Sequence, residues 1–269
     1  LTNMAHGVSA KGIVGLGALG QAIDQLTSDK PTLGVVFFTV KAFDLRNALL
    51  EQADKWPSHL PFITMCNGYI WPIILDIENQ LGGRPIRVGM TTIGSTIMPS
   101  GDVRIFADGT TTAWGNWPSP GKRLIPAKPE ELECLESFPN GTWCDDIRPM
   151  IRRKWILNVA INSVVAVHGL ERNGLLINHK QEVEEVLAEA LELSAKLWND
   201  LPWAEKEREK ISDQLWLVVE KTASNQNSMV RDVLMRRRTE SEFLAGIAQD
   251  FTGFTKLKKI HEAIIKRAE

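Results

Sequence analysis

An α/β N-terminal half followed by an all-helical C-terminal half is the fold this chain predicts, and three observations carry it. Two continuous apolar, β-rich runs, residues 35–40 (Val-Val-Phe-Phe-Thr-Val) and 61–65 (Pro-Phe-Ile-Thr-Met), flank a stretch of helical spacing. Such runs suit parallel strands buried on both faces, and strand–helix–strand is the unit of a parallel sheet. In the second half, apolar residues fall on helical stripes, and Lys154, Asn158 and Asn162 recur every four residues in an otherwise apolar run.

Residues 12–14 read as a strand end, followed by Gly15-Leu-Gly17-Ala-Leu-Gly20, a formal G-x-G-x-x-G. That fingerprint belongs to a βαβ unit of about 30 residues. Here the next strand starts at Val35, with a turn at residues 27–31 between, so the spacing leaves no room for a full helix and a second strand. The glycines are therefore expected to match by accident. The helix at residues 42–55 shows Leu45, Ala48, Leu49 and Ala53 on one face. Shorter strands are expected at 86–88, 94–97, 103–106 and 110–114, with turn signals at Pro99-Ser-Gly-Asp102 and Asp108-Gly109. The acidic, proline-containing joint Asp145-Asp146-Ile-Arg-Pro149 sets the boundary, giving domains 1–145 and 146–269. Helices are predicted at 151–167, 180–199, 212–221, 228–251 and 257–267. His168-Gly169 breaks the first from the second, and Thr239-x-x-Glu242 reads as a capping box inside the fourth.

A net charge of −2 gives no general electrostatic case for nucleic acid or an anionic membrane. No apolar run reaches the length of a membrane span. Cys66, Cys134 and Cys144, odd in number and unrelated in spacing, form neither a zinc pattern nor a disulfide framework. Their usage favours a reducing, cytoplasmic setting, and no metal is expected.

Four-residue spacing places Lys154, Asn158 and Asn162 along one face of a helix that is apolar nearly all round. An amine and two amides taken from water need partners, supplied by neighbouring protein or by a polar ligand. A ligand bearing carbonyl, carboxylate and hydroxyl groups suits them. Lys41 and Asn67 each directly follow an apolar strand, where ligands of open α/β sheets bind; the plainer reading is a surface lysine and an Asn-Gly turn. Asn225, Ser228 and Asp232, then residues 236–240, form a third polar concentration. Its plainer reading is a charged helix with Asn225 or Ser228 as its cap. His168 reads as a helix end, not a catalytic base.

The fragments Val-Lys41-Ala-Phe-Asp44, Asn67-Gly68, Gly89-Met-Thr-Thr92, Arg153-Lys154 through Asn158 to Asn162, Arg172-Asn173-Gly174, Asn225 to Met229 and Arg238-Thr239-Glu240 occur in this order. Together they resemble the ketopantoate reductase (2-dehydropantoate 2-reductase) family. The resemblance implies a Rossmann-like domain binding NADPH, a helical substrate and dimerisation domain, and reduction of ketopantoate to pantoate on the way to pantothenate and coenzyme A. It implies Lys154 as general acid and substrate ligand. Asn158, Asn162, Asn173, Asn225 and Ser228 would contact the 2-oxo acid. Lys41, Asn67, Ser95 and Glu240 would lie along the cofactor, with Asn67 and Glu240 also at the reacting centre. A homodimer through the helical half is a further expectation. The chemistry agrees: hydride arriving at a ketone carbon leaves charge on oxygen, which a nearby cation stabilises and protonates. Burial on an apolar helix is expected to lower the Lys154 pKa, making it a better acid.

Three departures from the family pattern stand out. By the fragment order, the first strand and glycine-rich turn are expected to be missing from the chain, lying before Leu1. Tyr69-Ile-Trp71 replaces small residues after Asn67-Gly68, which narrows the cofactor cleft. Ser163 follows Asn162 in place of proline. The alternative function is a non-catalytic relative that binds a small oxo or hydroxy acid, or dimerises, without using NADPH.

Overall fold

The computed structural model describes residues 11–15, 17–30, 33–106, 109–118 and 123–269. Leu16, Pro31 and Asp108 of the segments discussed above lie outside them. The chain forms two compact units, Leu1–Ile151 and Arg152–Glu269.

The first unit is built on strands β1 (Ile13–Val14), β2 (Val36–Phe38), β3 (Phe62–Thr64) and β4 (Ile86–Thr91), which pair in parallel in that order. Val14, Phe38, Thr64 and Val88 stand in one register across them. Every residue of the first three is buried, as a sheet covered on both faces requires. The sheet continues through β7 (Thr112–Gly115), antiparallel to β4, and β8 (Thr142–Cys144), parallel to β7. Strands β5 (Gly94–Ile97) and β6 (Val103–Phe106) form a separate antiparallel hairpin. The helices of this unit are α1 (Ala18–Leu26), α2 (Leu45–Ala53), α3 (Trp71–Ile77) and α4 (Pro129–Leu135). A 3-10 turn at Ala42–Asp44 opens the segment read as one helix. The core gathers Ile13, Ile23, Phe37, Ile63, Trp114 and Phe138, with Phe37 edge-on to Trp114 at 5.4 Å between ring centroids.

The interval between β1 and β2 holds one helix and no second strand among the described residues. Between Val14 and Val36 there is room for a nine-residue helix, α1, with Gly17 as its N-cap. Strand, glycine turn and helix are present at residues 13–26, and β1 pairs directly with β2. The chain returns from α1 straight into the neighbour of β1.

The second unit is helical: α5 (Arg148–His168, which starts before the unit boundary), α6 (Lys180–Leu197), α7 (Leu201–Lys221), α8 (Ser228–Leu234) and α9 (Thr255–Ala268). The apolar stripe of α6 (Val183, Val186, Leu187, Ala190, Leu191) is buried, and α6 packs against both α7 and α9. Helix α7 begins eleven residues earlier than the expected Ser212. Asp200 caps it, accepting from the Trp203 N–H at 3.2 Å, and a proline follows in the first turn. The long helix expected at 228–251 is broken. Arg236 takes a left-handed φ of 50°, and the Arg237 N–H reaches the Asp232 carbonyl at 2.8 Å while the Arg236 N–H reaches Val233 at 3.0 Å. This is a Schellman ending, so helical spacing continues in the sequence after the backbone has turned away. The expected capping box is also absent among the described residues. Thr239 Oγ1 accepts from Ser241 N, and Glu242 pairs instead with Arg238 at 2.6 Å.

Among the buried charges of the first unit, Arg87 and Glu131 form an ion pair. Arg87 on β4 is 1% exposed and Glu131 on α4 is 0% exposed, and they form two parallel N–H···O bonds of 2.8 and 3.0 Å. Arg87 also donates to Asn116 Oδ1 and to the Ile125 and Pro126 carbonyls, so its donors are well satisfied. Removing one partner strands the other charge in the interior, a loss of about 3–5 kcal/mol. Urea unfolding of Glu131→Ala is expected to show that loss; a change within about 0.5 kcal/mol would mean the pair carries no stability.

Candidate functional site

The carboxyl ends of β1, β2 and β3 carry the N-terminal candidates. β1 runs into Gly15, whose φ of 91° favours glycine, and a Cβ there would stand 2.9 Å from both the Val40 nitrogen and Cγ1. Gly20, in the first turn of α1, packs so closely that a Cβ would overlap the Gly15 carbonyl oxygen. Gly17 differs: a Cβ there would meet nothing within 4 Å, and no side chain caps the helix start. One glycine permits the turn, one leaves open space before a helix N-terminus, and one lets helix pack on strand. This is the division of labour of a dinucleotide phosphate turn. The space around Gly15, Gly17 and Gly20 is thus compatible with a pyrophosphate. The Thr39 hydroxyl bonds to the Gly15 and Val14 carbonyls and fixes the turn against β2; no sequence signal marked it.

Three residues past β2, Lys41 is half-buried and precedes the Ala42–Asp44 turn. Three residues past β3, Asn67 is half-buried beside Gly68, whose φ is 95°. The Met65 N–H bonds to the Phe38 carbonyl at 2.8 Å and the Cys66 thiol to Val40 at 3.1 Å, so these two strand ends are tied together. Ser95 lies on the β5–β6 hairpin opposite Ile105, half-buried. Tyr69 and Trp71 pack on Trp117, the two indoles stacked at 5.0 Å and 15°.

On α5, Lys154, Asn158 and Asn162 are each half-buried, while Trp155, Ile156, Val159, Ala160 and Val164 are buried. The carboxamides of Asn158 and Asn162 make no hydrogen bond among the described residues. Ser163 is fully buried, and its hydroxyl has no partner among the described residues.

Asn173 is placed differently. It is 6% exposed, donates to Thr222 Oγ1 at 3.0 Å, accepts from Asn227 Nδ2 at 3.2 Å, and its N–H bonds to the Asn225 carbonyl. One donor and one lone pair of its amide remain for a ligand. The cap of α8 is Asn227, whose Oδ1 accepts from Val230 N at 3.0 Å, in place of the expected Asn225 or Ser228. Asn immediately before Ser228 was a legible signal. Ser228 is exposed, and Asp232 is committed to Arg237 at 2.9 Å. Glu240 is 6% exposed and leads into the Ser241–Phe243 turn, which His261 braces through a 2.8 Å contact to Ser241 Oγ.

A parallel sheet with a glycine turn at the end of its first strand, joined to a helical unit, defines a Rossmann-type α/β protein with a helical C-terminal domain. The ketopantoate reductase resemblance seen in the fragments is confirmed: residues 146–249 match the family model "Ketopantoate reductase PanE/ApbA C terminal". A 2-dehydropantoate 2-reductase of Shigella flexneri is 25% identical over 235 residues, covering 83% of this chain and 70% of the relative. The Vibrio cholerae 2-dehydropantoate 2-reductase is 33% identical over 106 residues, 39% of this chain and 34% of the relative. Among solved structures, D-mandelate dehydrogenase with NADH superposes with a TM-score of 0.76 at 17% identity, covering 95% of this chain and 97% of that one. A 2-dehydropantoate 2-reductase from Methylococcus capsulatus gives 0.73 at 14% identity, covering 93% and 94%. At these identities the superpositions establish the fold.

Two outcomes follow from this geometry. Gly20→Ala forces backbone apart and is expected to cost about 1–3 kcal/mol, whereas Gly17→Ala, with space around it, is expected to hold or slightly raise Tm; equal Tm changes would refute the close packing. Burial holds the His261 pKa below its ordinary 6.5, against the opposing Glu242 and Glu262 carboxylates. The unfolded chain then binds the extra proton first, so stability falls as pH drops below about 6.5. Urea midpoints at about pH 7.5 and 5.5 should show this slope, reduced in His261→Asn.

Proposed function

We propose that this protein is an NADPH-dependent 2-oxo acid reductase that converts ketopantoate to pantoate. The observation that carries the reading is the glycine turn at residues 15–20, open at Gly17 and closed at Gly20. The relatives named 2-dehydropantoate 2-reductase support ketopantoate reduction, and the D-mandelate dehydrogenase neighbour in complex with NADH supports a nicotinamide cofactor.

In this reading the N–H groups at the start of α1 hold the pyrophosphate, favoured by the helix dipole. Lys41 supplies a cation to the cofactor phosphates, and Asn67, Ser95 and Glu240 orient the cofactor. The bound nicotinamide supplies hydride to the ketone carbon. Lys154 faces the ketone oxygen, stabilises its developing charge and delivers a proton from Nζ. Asn158 and Asn162 offer the neutral carboxamides to the substrate carboxylate and hydroxyl groups. Asn173, Asn225 and Ser228 complete the substrate contacts, Asn173 through its remaining donor and lone pair. The reading includes a cytoplasmic enzyme that dimerises through its helical half.

The test is NADPH fluorescence titration followed by NADPH oxidation with ketopantoate. Wild type should bind and turn over. Lys154→Ala should lose turnover by about 10²–10⁴ while still binding NADPH, and Gly17→Ala should weaken NADPH binding without losing Tm. A folded wild type that ignores NADPH would instead identify the non-catalytic relative.

A further inference from the structure

Away from these groups, two histidines and a glutamate converge where three backbone segments meet. His168 is the last residue of α5. His179 ends the Asn173–His179 turn and is the N-cap residue of α6, and Glu182 lies in the first turn of α6. His179 and Glu182 are three residues apart at a helix start, so their side chains share a face. The two imidazoles stack with centroids 4.0 Å apart and planes 29° from parallel. His168 Nε2 is 2.6 Å from Glu182 Oε2. One ligand atom from each of the three residues lies within 4.8 Å of the others. The His168 and Glu182 side chains are 32% and 25% exposed, so the cluster is reachable from solvent.

We propose that His168, His179 and Glu182 form a binding site for a divalent transition-metal ion, Zn²⁺ by its chemistry. Two imidazole nitrogens and one carboxylate are a borderline donor set that suits Zn²⁺ and leaves a fourth position for water. At Zn–N distances of about 2.0–2.1 Å, two ligands of a tetrahedral ion stand about 3.3 Å apart. For the ion to bind, His168 and Glu182 must part from their 2.6 Å contact, and the stacked imidazoles must turn so that their in-plane lone pairs meet at one point. The carriers are a helix end, a short turn and a helix start, so a bound ion ties the end of α5 to the start of α6.

One group opposes the ion. Lys256 Nζ lies 3.4 Å from Glu182 Oε1 and 3.0 Å from Glu185 Oε2. It neutralises the carboxylates and repels a dication. A metal therefore competes with Lys256 for Glu182, and removing the lysine should strengthen binding. None of the three ligands is assigned to the cofactor or the oxo acid, so the site stands or falls apart from the reductase reading.

The test is titration of the metal-free protein with Zn²⁺ by calorimetry and with Co²⁺ by visible absorption, with Tm read in parallel. The expected result is one ion per chain, a tetrahedral Co²⁺ spectrum and a Tm raised by Zn²⁺. His179→Phe keeps a ring stacked on His168 but removes its donor, and His168→Gln and Glu182→Gln remove the other two. Each should weaken binding at least about tenfold, and Lys256→Met should tighten it. A Cys144→Ala control should bind as wild type. Absence of saturable binding would overturn the site. So would binding unchanged in His179→Phe, or binding lost with Cys144.

Discussion

The contact between Gly20 of α1 and the Gly15 carbonyl at the end of β1 is the constraint on which the N-terminal unit depends. With no Cβ on either glycine, the helix lies directly on the turn, and Thr39, just past β2, bonds to that same carbonyl. The first turn of α1 is thereby fixed relative to two strand ends. Lys41 and Asn67 follow those parallel strands in a common register, so the turn sets the origin from which both are placed. A larger residue at position 20 would move the helix start and, with it, the turn to which the proposed function assigns the pyrophosphate.

Polar groups elsewhere show how this chain treats buried charge. Arg84 donates to four backbone carbonyls, those of Pro57, Leu60, Ala53 and Trp56, and stacks over Phe62. Arg87 has Glu131, Asn116 and two carbonyls. Asn158 and Asn162 differ from these arginines: they are half-buried carboxamides whose side chains bond to nothing among the described residues. Two open amides one turn apart on an otherwise apolar helix are available to a polar ligand, which is the use the proposed function makes of them.

Strands buried on both faces were legible because continuous apolar runs have no other stable home, and the hairpin bounds at 94–97 and 103–106 were readable from their flanking turns. What escaped was decided by single-residue backbone geometry. Arg236 entering the left-handed region ended α8, although the polar–apolar period ran on. The first half of α7 is charged nearly throughout, so only Asp200 and Pro202 announced it. The close packing of Gly20 on the Gly15 carbonyl was not legible either, since no local pattern reports it. Of the site, the lysine–asparagine ladder was legible from period alone. The commitment of Asn173 to Thr222 and Asn227 was not, since it joins segments some fifty residues apart.

Three consecutive cations at the start of α5 show how a helix sets the direction of one of them. Successive residues point about 100° apart around the axis. Arg152 is 2% exposed; burial holds its pKa down to about 10, and it reaches Ser194, Asp200 and the face of Trp203 at 3.9 Å. Arg153 binds Glu207 on α7 at 2.5 Å, and the Glu207 carboxylate is held below its ordinary range by that bond. With two adjacent guanidinium groups fastened to α7 and the residue leading into it, α5 cannot rotate about its axis without breaking charged contacts. The direction of Lys154, next in sequence, is then fixed by its neighbours, as is the line of Asn158 and Asn162 one and two turns on. Placement of the proposed acid is in this sense a property of Arg152 and Arg153, which touch neither substrate nor cofactor in the reading given above.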